Sequence, residues 1–267
     1  MSQLLKIKNL ASVFLFVCAF MGCKKVIDVK LKNSNGQIVI TGEINNRPGP
    51  YTVTISKTVN FTSDNDFPRV SGAFVTIAGN GVTDTLKETD PGTYVTHTVN
   101  GKMGETYKLF VSVEGKTYTS ISIMPQRVRL DSLSFLLGRK DALYAVANFQ
   151  DPPAVENYYQ FIEYINGQKL PNGRGNSVFS DRLSDGRYIS RVIYDDSSDI
   201  KAGTTLTLQM NCIDKAVYNY LNELQQISGG GSGFSSQAPA NPTTNISGGA
   251  LGYFSANTVT SKTVNIP

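Results

Sequence analysis

Tryptophan is absent from this chain of 267 residues, and histidine occurs once, at His97. A Ser–His or Cys–His catalytic device needs an imidazole to take the nucleophile's proton. A typical zinc site needs several His or Cys ligands. Neither set can be assembled here, so no catalytic residue, no metal centre and no cofactor is expected, and the chain is not read as an enzyme. Thr96 and Thr98 flank His97 in what reads as a strand. The net charge is only +4, and no run of five or six Lys or Arg occurs. A basic patch for nucleic acid is therefore missing, and no nucleic acid partner is expected. Cysteine is scarce as well, with Cys18, Cys23 and Cys212 alone.

What is present begins with a short apolar run. Lys6 and Lys8 form a basic head, Leu10–Phe20 is almost unbroken apolar sequence, and Gly22-Cys23 closes it. A spanning helix takes roughly 20 apolar residues, more than this run supplies. A basic head, a short apolar core and a small residue before the cut describe a secretory signal. The cysteine directly after that small residue resembles the lipobox of bacterial lipoproteins, which implies cleavage before Cys23 and acylation of its thiol. Phe20-Met21 is a loose match to the Leu-(Ala/Ser) opening of that box; a plain secretory signal or a marginal membrane anchor is the alternative. On the lipoprotein reading, residues 1–22 are the signal peptide, 23–35 a tether, and 245 of the 267 residues are left. Two or three acyl chains hold a protein on a membrane stably, where one is marginal. Cys212 is then unpaired, so no internal disulfide is expected, and it reads as a small buried apolar residue.

From Gly36 the pattern is period two, the mark of half-buried strands. Ile38, Ile40 and Ile44 share a face; Tyr51, Val53 and Ile55 alternate with Thr52, Thr54 and Ser56; Tyr107, Leu109, Val111 and Val113 alternate with polar residues. Turn chemistry separates these runs at Arg47–Pro50, Gly79-Asn80-Gly81, Asp90-Pro91-Gly92 and Asn100-Gly101. About seven such strands in about 95 residues predict an antiparallel sandwich over residues 36–125. Val70–Ile77, Gly92-Thr93-Tyr94 and Gly104–Leu109 resemble the immunoglobulin-like and prealbumin-like modules of bacterial envelope proteins. Such modules usually act as spacers or platforms.

Met124-Pro125 marks a boundary, and residues 126–267 predict a second β-rich domain with one packed helix. Its strands are expected at Leu143–Gln150, Tyr158–Ile165, Arg187–Tyr194 and Thr204–Met210, with closing strands at Leu251–Phe254 and Thr258–Ile266. Asp151-Pro152-Pro153 stops the first, because proline lacks the N–H a ladder needs. Ile213, Val217, Tyr220, Leu221, Leu224 and Ile227 repeat at helical spacing, predicting a helix near 214–227 with Asp214 at its start, Gly229 at its end and its apolar face on the second sheet.

Four pieces then occur together and in order: Asp151–Tyr159, Phe179–Gly186, a helix containing Tyr218-Asn219-Tyr220-Leu221, and Asn245–Phe254. With the lipobox and the Met124-Pro125 junction, they resemble the domain-of-unknown-function 4249 (DUF4249) family of Bacteroidetes lipoproteins. The resemblance covers essentially the whole mature chain. It implies an outer-membrane, lipid-anchored protein, typically encoded beside a TonB-dependent receptor, on the periplasmic face or the cell surface. The acidic cluster that marks surface export in such lipoproteins is reduced here to Asp28. No activity is assigned to the family, so it brings no catalytic residues.

Several motifs carry candidate chemistry. Asp195–Asp199 and Asp64-Asn65-Asp66 offer clustered oxygens to calcium, but lack EF-hand spacing, and read as solvated turns. Gly229–Gly233 follows a helix, where a phosphate loop would precede one, and reads as a flexible linker. Gly248-Gly249 reads as a tight turn where backbone meets backbone. Asp84-Thr85-Leu86 and Asp131-Ser132-Leu133 resemble Bacteroidetes O-glycosylation triplets. Tyr158 and Tyr159 open a strand and point to opposite faces, one to the core and one to a candidate interaction surface. The leading expectation is a non-enzymatic accessory or ligand-binding component of a TonB-dependent uptake system. The alternatives are a surface structural or adhesive module and an enzyme using carboxylates only.

Overall fold

The computed structural model describes residues 36–59, 67–138, 143–170, 176–193, 202–228 and 241–266. Cys23, the signal, Asp64–Asp66, Asp195–Asp199 and Gly229–Gly233 lie outside the described residues. The first half forms β1 (Ile38–Asn45), β2 (Thr52–Lys57), β3 (Phe74–Gly79), β4 (Val82–Thr85), β5 (Lys87–Asp90), β6 (Thr93–Val95), β7 (Thr106–Val113) and β8 (Lys116–Ile123). The second half forms β9 (Ser132–Leu137), β10 (Leu143–Gln150), β11 (Tyr158–Ile165), β12 (Gln168–Lys169), β13 (Asn176–Ser180), β14 (Tyr188–Val192), β15 (Thr205–Ile213), helix α1 (Lys215–Ser228) and β16 (Leu251–Asn265). The fold is mostly β, with one packed helix among the described residues.

A nine-stranded sheet runs in the order β12-β11-β15-β16-β1-β2-β6-β5, with β13 also paired to β11. At one end the β4-β3-β7-β8 sheet covers it. Ile40, Val53, Ile55, Val75, Leu109 and Val111 fill the space between, all at or near zero exposure. This is the sandwich that period-two patterning predicts. At the other end the β14-β10-β9 sheet faces β11 and β15, and Phe149, Phe161, Leu208 and Met210 fill the second core. Cys212 belongs to this core as a free thiol, as its small apolar character predicts.

Two differences from the sequence reading concern the last strand. The two expected closing strands are one 15-residue strand, β16, because Ser255, Ala256, Asn257 and Thr258 are buried and stay in the ladder. Its first half pairs in parallel with β1, Val39 opposite Leu251 through Asn45 opposite Asn257. Its second half pairs antiparallel with β15, Cys212 opposite Thr258 through Thr205 opposite Asn265. The expected all-antiparallel sandwich therefore contains a parallel pair, which no local turn signal announces. Gly252 makes that pair close: its φ is +94°, and an added Cβ would lie 2.0 Å from Ile40 O. Ile246, Ala250, Phe254 and Ala256 join the first core, whereas Ile266 joins the second.

Side chains tie these layers together. Ser122 Oγ, on β8, accepts the Ala256 N–H at 2.8 Å and donates to the Asp214 carboxylate. Asp214 also caps α1, accepting the Val217 N–H at 2.9 Å. Thr260 Oγ1 donates to Val128 O at 3.3 Å. Gly248 and Gly249 form the expected tight turn, with φ near +85° and an added Cβ at Gly248 falling 2.5 Å from Thr117 O. His97 is a correction: it sits exposed in a bend after β6, and its N–H donates to Asp84. The helix forms as expected, except that Ile213, counted in its apolar repeat, is the last residue of β15. Val217 is buried, but Leu224 and Ile227 are 39% and 38% exposed, so the apolar stripe is covered only along its first half.

Candidate functional site

Strand β11 sets the geometry, because alternate residues of a strand face opposite ways. Tyr159, at 0% exposure, enters the second core, with its ring 4.8 Å from Phe149. Its hydroxyl donates to Asp151. Burial first, and then that carboxylate, push the phenol's pKa well up, so it stays a neutral donor. Tyr158, at 6% exposure, faces the other way, onto α1. Its ring lies 4.8 Å from Tyr218, and Lys215 Nζ lies 5.9 Å from its centroid.

Beside Tyr158 a groove of about 620 Å³ opens between α1, β13, β14 and the turn after β13. Tyr158, Phe179 and Tyr218 supply aromatic surface, and Asn219 and Asn222 supply amides. Arg182, Arg191 and Lys215 supply three cations, against the single carboxylate of Glu156. Lys215 Nζ reaches Glu156 Oε2 at 3.2 Å. The Tyr158 hydroxyl and then Lys215 hold the Glu156 carboxyl below its ordinary value. The Arg191 guanidinium stacks 5.1 Å above the Phe179 ring. Its Nε is buried, and among the described residues no hydrogen-bond partner reaches it. The arrangement brings stacked aromatics, amides and an excess of positive charge to one wall. A smaller groove of about 360 Å³, beside β1 and β2, is lined by Thr41, Thr54 and Tyr253, with Glu43 as its charged group.

Of the residues singled out in the sequence, Tyr158 lines the larger groove and Tyr159 lies behind it in the core. Thr85 and Ser132, in the two O-glycosylation-like triplets, are both exposed. The sequence does not single out Arg182, Arg191 or Lys215 as site residues; they come from a turn, a strand and a helix. The pieces Asp151–Tyr159, Phe179–Gly186 and Tyr218–Leu221, which carry the family resemblance, converge on this one place only in the folded chain. Among the described residues, no helix is long and apolar enough to cross a membrane.

A family model described as "Domain of unknown function (DUF4249)" matches residues 24–263. No curated protein matches the sequence. Among solved structures, the two-domain fibronectin type-III segment from chicken tenascin is similar at 11% identity, with a TM-score of 0.21, over 66% of this chain and 89% of that one.

Proposed function

This chain belongs to the DUF4249 family, and from that premise we propose that it is a non-enzymatic, lipid-anchored envelope protein that binds an anionic group for an outer-membrane TonB-dependent receptor. The groove beside α1 is the observation that carries the reading. Its three cations, Arg182, Arg191 and Lys215, face one carboxylate and surround aromatic surface. Charged and amide donors around an apolar floor recognise a carboxylate- or phosphate-bearing ligand, or an acidic segment of a partner. The Cys23 thiol is the attachment point for lipid in this reading.

The test is native pulldown from membranes of cells expressing the full chain, with Arg182→Glu and Lys215→Glu variants alongside. A receptor barrel should co-purify with the wild type and fall at least about tenfold with either reversal, the scale of one lost charged contact. Cys23→Ser should leave the membrane fraction. Wild-type pulldowns without a receptor would refute the partnership, and unchanged recovery by both variants would remove the groove from it.

A further inference from the structure

Behind the groove wall, three carboxylates meet. One oxygen from each of Asp151, Asp181 and Asp185 lies within 4.8 Å of the others. Asp151 is 0% and Asp181 1% exposed, while Asp185 stands at the surface. Asp151 follows β10, and the other two lie in the turn that joins β13 to β14. The existing hydrogen bonds use only part of this oxygen. Asp151 accepts from the Tyr159 hydroxyl and, at 2.9 Å, from the Gly186 N–H. Asp185 Oδ2 accepts the Ala154 N–H at 3.2 Å, and Asp181 Oδ2 accepts the Asn157 N–H at 2.9 Å.

Asp181 Oδ1 is different. It is buried, and among the described residues nothing donates to it. The carboxylate that carries this free oxygen is one corner of the triangle. Among the described residues, no Lys or Arg forms an ion pair with any of the three. Buried carboxylates normally carry a paired cation or full hydrogen bonding. Burial first, and the neighbouring Asp151 and Asp185 charges with it, push the Asp181 carboxyl above its ordinary value.

We propose that Asp151, Asp181 and Asp185 bind a calcium ion. The donor set is all oxygen, with neither imidazole nor thiolate among it, which selects a hard cation. Calcium takes carboxylates in irregular geometry and fills its remaining positions with carbonyls and water, whereas magnesium demands a near-ideal octahedron. Exposed Asp185 gives the ion its entry path. The ion ties the turn after β10 to the turn that follows β13. Arg182, Leu183 and Ser184 of that second turn line the groove, so calcium fixes the groove's wall. The site stands without the binding role proposed above, and its test reads the metal alone.

Full-length protein purified in detergent and stripped with chelator is melted with and without calcium chloride. Calcium at about a hundredfold above its dissociation constant should raise Tm by about 5–10 °C. Asp185→Asn, at an exposed position, should weaken calcium binding by calorimetry at least about tenfold, since even an outer-shell partner is worth that much. Asp181→Asn relieves like-charge repulsion, so it should melt higher than wild type in chelator and lose the calcium response. No calcium shift and no binding heat in the wild type would overturn the site. So would an unaltered response in both variants, or a magnesium response equal to that of calcium.

Discussion

Asp84 Oδ2 accepts the N–H groups of His97, Thr98 and Val99 at 2.7, 2.6 and 3.0 Å. One buried carboxylate thereby holds the bend after β6 against β4. Burial acts to raise its pKa, but the three donors together outweigh burial and hold it below the ordinary 3.8. A depressed carboxyl contributes stability above the unfolded value and loses it as pH falls through the folded one. Wild type should therefore lose stability in acid from about pH 4 downward. Asp84→Ala strands three donors at once, and should cost about 2–3 kcal/mol at pH 7. In urea titrations from pH 2 to 7 its acid decline should also be shallower than that of wild type. Equal midpoints at pH 7 would show that the bend is held by something else. The same carboxylate explains why His97 misled: flanking threonines suggest a strand, but backbone donors recruited by a distant Asp make a bend.

At the scale of elements, β16 depends on Gly252. Gly252→Ala places a methyl 2.0 Å from Ile40 O at a left-handed φ, and should cost about 3–5 kcal/mol. Gly249 has a similar φ of +85° with nothing within 4 Å. Gly249→Ala should therefore cost only about 1–2 kcal/mol, the conformational part alone. Chemical denaturation of the pair separates close approach from backbone strain, and equal losses would count against the parallel seam. Period two was enough to read most strands: the bounds of β10 and β11 are those the sequence predicts, and α1 lies one residue beyond its expected span. The sequence hid what depends on distant partners. Ser255-Ala256-Asn257 reads as a break because small and polar residues interrupt the apolar pattern, yet all three are buried and stay in the ladder. The groove was equally hidden, since Arg182, Arg191 and Lys215 share no periodicity and meet only after β11 is flanked by β13 and α1.

At the scale of the molecule, residues 36–267 form one compact unit holding two apolar cores. Both cores take residues from the segment 246–266. Ser122, Asp214 and Ala256 are joined by hydrogen bonds, and Thr260 bonds back to Val128. Loss of β16 would expose both cores at once. Urea unfolding followed by far-ultraviolet circular dichroism and by tyrosine fluorescence should give coincident single transitions. Two separated transitions would show that the seam does not couple the cores.

The seam also imposes an order in time. Val39 is among the first described residues, and its neighbour in the ladder is Leu251. Closing so long a loop adds little entropic cost, because each doubling of length costs only about 0.6 kcal/mol. The delay is the larger matter: at about 5–20 residues per second, roughly 10–40 s of synthesis separate the two partners. Through that interval a nascent chain carries one side of β1 with its peptide groups unmet, open to a holdase or to a stray strand from another polypeptide.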